Sequence, residues 1–186
     1  MIFKFNSTAM KKPFILIAIA LLVSVSGSGF SVLKAQSPVN RDTLILAAHE
    51  IINETTYCGL VTIDSLGQPQ IRTMNPFPVK EDFVIWFATA RKSRKVREIK
   101  NNPKVCVYFA DHINAKGYVN INGTATVIDD KELLVRMKRE YWNGIPGWQD
   151  IFVLIKIVPG SIETINYKHG LNNNPVTFKA PFISVQ

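Results

Sequence analysis

The apolar positions fall first into one helical spacing and then into a series of strand-like runs. After a short polar segment (residues 37–41), Asp42 opens a stretch in which Leu44, Ala47, Ala48, Ile51 and Ile52 share one helical face. Thr56 to Ile63 and Gln70 to Phe77 follow as β-rich runs, joined by Asp64-Ser65-Leu66-Gly67-Gln68-Pro69, which predicts a hairpin. Phe83 to Phe87 reads as another strand. Ser93 then caps a short helix carrying Val96 and Ile99, closed by Asn101-Asn102-Pro103. Lys104 to Phe109 is again strand-like. In Tyr118–Ile128, Val119, Ile121, Gly123, Ala125 and Val127 alternate with Asn120, Asn122, Thr124 and Thr126, as in a half-buried antiparallel strand. Asp129 and Glu132 resemble a capping box ahead of a helix with Leu133, Leu134, Met137 and Tyr141 on one stripe. Ile151 to Val158 is apolar almost throughout, which calls for burial on both faces, inside a barrel or against a second subunit. The sum is a mainly β domain: a small antiparallel barrel of about six strands with helices packed outside.

The first 36 residues stand apart. Met10-Lys11-Lys12, the apolar run Phe14–Val25, a group of small residues and Ala35 have the layout of a secretory signal peptide. The run is short for a span, which needs about 20 residues; an uncleaved anchor reaching Leu33 is the other reading. No cysteine follows it to carry a lipid. Cleavage would leave one domain, residues 37–186, in an exported, periplasmic or secreted protein with no stable membrane insertion. The leader holds Lys4, Lys11, Lys12 and Lys34 and no acid, so the net charge falls from +8 to about +4 without it. Half of the basicity is then targeting signal, which argues against nucleic acid as a partner. Cys58 and Cys106 sit in apolar strands and read as two core thiols, with a disulfide as the alternative in an oxidising compartment.

Charge marks the candidate chemistry. Arg91, Lys92, Arg94 and Lys95 crowd the start of the short helix, where the macrodipole makes each cation unfavourable by about 0.3–1 kcal/mol. Free N–H groups, the Ser93 hydroxyl and several cations at one helix start suit a phosphate, while a solvated basic turn would explain the same charges. Arg72, in mid-strand, needs an anion if buried, and strand register could bring it to the same turn; an edge-strand Arg reaching water is the alternative. Trp142 and Trp148 flank a polar turn and could pack, cover a ring-shaped ligand or meet a subunit. His49, His112 and His169 are scattered without metal-ligand spacing. There is no Ser-His-Asp order, Gly-x-Gly-x-x-Gly or Walker loop, so no catalytic residue can be named.

Arg72-Thr73-Met74, Ile85-Trp86-Phe87-Ala88-Thr89, Ser93-Arg94-Lys95-Val96 and Asn102-Pro103-Lys104-Val105 together resemble the pyridoxamine 5′-phosphate oxidase-like superfamily, in its general-stress-protein branch. Tyr118 to Ala125, Tyr141-Trp142 and Val153 to Pro159 continue the likeness in order, over about residues 44–168. The resemblance implies a six-stranded antiparallel split β-barrel of the FMN-binding type, commonly a homodimer with each flavin between subunits. It implies that Arg72, Ser93, Arg94 and Lys95 hold the FMN phosphate, and that Thr73, Met74, Phe87, Ala88 and Thr89 line the ribityl chain and ring. Tyr118 stands where many members aim a glutamine at the flavin, and Trp148 and Gln149 are the candidates for a partner's contribution. The B6 oxidases carry a substrate-binding lysine at the place of Phe77, and an Arg-x-His signature where this chain has Tyr167-Lys168-His169-Gly170. The likeness therefore implies a flavin-dependent oxidoreductase acting on an unidentified small molecule, not a true pyridoxamine phosphate oxidase. A non-catalytic flavin or haem carrier, or a redox sensor on the same barrel, is the alternative.

Overall fold

A computed structural model describes residues 40–185; the leader, residues 1–36, lies outside them. The first helix, α1 (Arg41–Glu54), is capped two residues earlier than Asp42 suggests: the Asn40 side chain accepts from the Asp42 N–H at 2.7 Å. Its buried face is the one the spacing marks, Leu44, Ala47, Ala48, Ile51 and Ile52.

Strands β1 (Cys58–Ile63) and β2 (Pro69–Met74) form the hairpin. Asp64 holds its turn, with Oδ1 accepting from the Leu66 and Gln68 N–H groups, both at 2.9 Å, while Gly67 takes φ +78°. After β3 (Ile85–Ala90) come α2 (Arg94–Asn101), β4 (Lys104–Ala110) and the long β5 (Gly117–Ile128). Then follow α3 (Lys131–Arg136), a 3₁₀ turn (Glu140–Gly144), α4 (Trp148–Ile151) and the longest strand, β6 (Phe152–Asn166). A 3₁₀ turn at Tyr167–His169 and the short β7 (Phe182–Ser184) complete the order. The strands join in one antiparallel sheet in the order β2-β1-β4-β5-β6-β3, six strands curled as a half-barrel, and β7 adds to β6 beyond the end of β3.

One particular differs from the sequence reading, and a second decides between its alternatives. The helix after β5 starts behind Asp130, whose side chain accepts from the Leu133 N–H at 2.9 Å, and it stops at Arg136. Tyr141 therefore leaves the stripe and is 62% exposed in the 3₁₀ turn, while Trp142 takes the buried place. Second, the apolar run of β6 meets cover on both faces within the chain. Ile155 and Ile157 enter the main core with Leu60, Phe87, Val107 and Ile121. Leu154 faces the other way, under Leu134, Trp142 and Trp148. β5 and β6 cross closely at Gly117, where a Cβ would lie 2.0 Å from the Ile165 carbonyl oxygen and φ is +147°, so only glycine fits.

Candidate functional site

Arg72 and the start of α2 do meet, and what joins them is a carboxylate from the chain itself. Leu60 and Arg72 are cross-strand partners, and Arg72 runs along β1 towards α2. Its Nη1 donates to the Leu60 carbonyl at 3.2 Å and to Thr62 Oγ1 at 2.5 Å; its Nη2 donates to Glu98 Oε2 at 2.7 Å. The Thr62 hydroxyl donates to the same Glu98 oxygen at 2.5 Å. Glu98 is 4% exposed, on the α2 face that also buries Val96 and Ile99. The Arg94 Nε lies 3.0 Å from Glu98 Oε1, an ion pair by distance but off the line of a hydrogen bond, so that oxygen gains charge contact without a directed donor. Burial pushes the Glu98 carboxyl upward, yet Thr62, Arg72 and Arg94 outweigh it and hold the group below the usual glutamate value.

Lys95 completes the cluster from the other side. Its Nζ donates to Thr89 Oγ1 at 3.0 Å. Burial, then the nearby Arg72 and Arg94, lower its pKa, partly offset by Glu98. Three cations thus surround one carboxylate, and the balance is positive. Arg72 commits three of its five N–H donors, and Arg94 keeps its guanidinium end largely exposed. Ser93 stands at the N-cap of α2 but makes no side-chain capping bond, and its Oγ is buried without a partner. A buried hydroxyl left open beside surplus positive charge and the first N–H groups of a helix suits a phosphate. Arg91 and Lys92 do not share this arrangement: Arg91 pairs with Asp129 and donates to the Asp150 carbonyl, and Lys92 is exposed.

The other candidates divide. Phe87 is fully buried in the core, Ala88 packs on the opposite side of β3, and Thr89 is held by Lys95. On β2, Met74 is buried and Thr73 exposed. Tyr118 lies on the outer face of β5, donating to Glu163 Oε1 at 2.9 Å; burial, then this carboxylate, push its phenol up to about 12. Trp148 is 8% exposed and packs 5.3 Å from Trp142 between ring centroids, while Gln149 is exposed. Phe77 carries the Arg139 guanidinium 4.3 Å above its ring, and Arg139 Nη2 donates to the Pro76 carbonyl at 2.6 Å. None of the histidines contacts the cluster: His49 stacks on Phe83, His169 pairs with Glu50, and His112 is exposed in the β4–β5 loop. Among the described residues no group of three or more His, Cys, Asp or Glu could hold a metal ion.

Cys58 and Cys106 are free thiols. Cys58 points into the core and burial pushes it up to about 12; Cys106 lies on the outer face of β4, its Sγ donating to Asn120 Oδ1 at 2.6 Å. They face opposite sides of the sheet, so the two cannot bridge. Glu98 is the residue that sequence reading passed over. The signal for it was an acid placed between Val96 and Ile99 on the apolar stripe of a short helix, four residues after Arg94.

A six-stranded antiparallel half-barrel defines a split-barrel class of protein, here with a cation cluster at the α2 start. The family model described as "Pyridoxamine 5′-phosphate oxidase" matches residues 45–166, and the chain belongs to that family. The general stress protein 26 of Bacillus anthracis is similar at 29% identity, over 66% of this chain and 93% of that one, with a TM-score of 0.56. A pyridoxamine 5′-phosphate oxidase-related, FMN-binding protein of Nostoc punctiforme shares the fold at 16% identity, covering 78% and 96% of the two chains, TM-score 0.53. An F420 reductase does so at 22% identity, covering 61% and 94%, TM-score 0.50. No curated protein matches the chain significantly.

Proposed function

We propose that this protein is an exported, homodimeric flavoprotein that holds FMN by its phosphate at Arg72, Ser93, Arg94 and Lys95 and acts as an oxidoreductase on a small molecule. The observation that carries the reading is the buried, unpartnered Ser93 Oγ beside three cations that share one carboxylate. When bound, the flavin would supply the electron transfer. The chain's own part is to bind the phosphate and to keep the cation heads fixed: Glu98 and Thr62 orient Arg72, and Thr89 holds Lys95. The FMN-binding relative supports this cofactor; the F420 reductase of the same fold makes F420 the other cofactor to test.

Export rests on the leader of residues 1–36. The dimer rests on the outer face of the sheet, since the chain itself already covers Leu154. There Ile71 is 67% exposed beside its cross-strand partner Val61, with the tilted rings of Tyr108 and Tyr118 5.6 Å apart nearby. Pyridoxamine 5′-phosphate is not the substrate in this reading. The place of the substrate lysine holds an aromatic ring, and the guanidinium above it is engaged by main-chain carbonyls.

One preparation tests these points together. Protein recovered from the exported fraction of its host is passed over a sizing column with light scattering and visible absorbance. Flavin bands travelling with a particle of about two chains are expected, and that holoprotein should release no peroxide when given pyridoxamine 5′-phosphate and oxygen. A Soret band, or a colourless protein that rejects added FMN, would overturn the flavin reading. A monomer with full flavin affinity would overturn the dimer, and rapid peroxide release the substrate argument.

A further inference from the structure

The outer face of α2 carries charge that the phosphate site does not use. Arg94, Arg97 and Lys100 recur at three-residue spacing and are all exposed, turned away from the buried Val96, Glu98 and Ile99. Lys92, also exposed, stands just before the helix, and its carbonyl accepts from Arg97 Nη1 at 3.3 Å. Glu98 is the only acid between Arg91 and Lys104, and it is buried on the other side of the helix. Among the described residues Lys92, Arg97 and Lys100 have no carboxylate within ion-pair distance, whereas Arg91 and Arg94 do. Beyond Pro103, whose carbonyl accepts from the Ala125 N–H, β5 presents the uncharged Thr124 and Thr126.

The tip of the β1–β2 hairpin stands at the same edge of the molecule. Thr62 donates to Glu98 two residues before the turn opens at Asp64, and Arg94 lies against the other oxygen of Glu98. The Gln68 N–H first, then the Leu66 N–H, the Gln70 amide and the Arg94 guanidinium, lower the Asp64 carboxyl, so turn and helix are within electrostatic reach. Asp64 spends its oxygens inside the turn, on Leu66, Gln68 and the Gln70 Nε2 at 2.8 Å. This holds Leu66 outward: it is 83% exposed, and its neighbours Ser65 and Gly67 are exposed with it. An apolar side chain held out on a fixed tip, beside a basic helix face without acids, is complementary to a bilayer surface. The leucine enters the boundary of the acyl layer while the cations meet anionic headgroups. A polyanion without an apolar layer would engage the cations and leave Leu66 in water.

We propose that this edge docks on a membrane surface rich in anionic lipid, with Leu66 in the interfacial layer and Lys92, Arg97 and Lys100 on the headgroups. The contact is peripheral, not a span. It goes beyond the flavin reading, because none of these four residues belongs to the phosphate site.

The test is sedimentation of the purified protein with vesicles of phosphatidylcholine alone, or of an equimolar mixture with phosphatidylglycerol. The expected result is saturable binding to the mixed vesicles, little to the neutral ones, reversal by salt and persistence when FMN is present. Arg97→Gln and Lys100→Gln should each weaken the binding about fivefold, the value of one cation near an anionic surface. Leu66→Ser should weaken it several-fold. A short duplex DNA serves as a polyanion with no apolar layer, and its affinity should not respond to Leu66→Ser. Equal binding to neutral and mixed vesicles, absence of binding to either, or unaltered vesicle binding in Arg97→Gln and Lys100→Gln would overturn the proposal. Vesicle binding unmoved by Leu66→Ser would also overturn it, leaving a general polyanion surface in its place.

Discussion

A carboxylate buried between guanidinium groups sets both the charge and the geometry of what surrounds it, and Glu98 has this position in the cation cluster. Its held-down pKa means that it stays ionised when folded at neutral pH, neutralising one of three cations and aiming Arg72. Replacing it by glutamine keeps the shape and one acceptor but removes the charge. Glu98→Gln should therefore destabilise the flavin-free protein, on the order of 2 kcal/mol for a lost charge-assisted pair. It should also leave a more positive site, so FMN should raise the melting temperature of Glu98→Gln by more than it raises that of the parent. A smaller shift with FMN than in the parent would mean that Glu98 serves the phosphate only by orienting Arg72.

At the level of elements, one acid of α1, Glu50, ties the helix to two places on the sheet. Glu50 accepts from Lys168 at 2.8 Å and meets His169 at 2.5 Å and Lys116 at 3.4 Å, tying α1 to the start of β5 and the turn after β6. The Lys168 and His169 hydrogen bonds, in that order, hold its carboxyl at about 2, against an ordinary 4.5. A folded value below the unfolded one means that the unfolded chain binds more protons between those two pH values. The contribution is thus complete above pH 4.5 and is lost as the pH falls towards 2. Urea midpoints measured downward from pH 4.5 should decline less steeply in Glu50→Gln than in the parent, and identical slopes would contradict this role. The helix face that docks here, Leu44 to Ile52, was legible in the sequence because its apolar residues repeat at a period no strand shares. The clamp was not, because Glu50 and Lys168 are 118 positions apart and neither interrupts an apolar pattern.

For the whole molecule, the antiparallel sheet and six of its strands followed from alternation and from turn chemistry such as Asp64 to Gly67. The three-residue β7 has too little pattern to show by itself; pairing with β6 defines it. The convergence of Arg72 with the α2 start was readable as a need for an anion at both, but not that Glu98 would meet part of that need. The central claim, a phosphate held at Ser93 and its cations, is tested most directly by the affinities of FMN and riboflavin for the parent, Ser93→Ala and Lys95→Ala. The parent should bind FMN far more tightly than riboflavin. Each substitution should weaken FMN about ten- to hundredfold, the value of a charge-assisted hydrogen bond of roughly 1.5–3 kcal/mol, and leave riboflavin nearly unchanged. Equal losses for the two ligands, or no preference for FMN in the parent, would contradict a phosphate site at the start of α2.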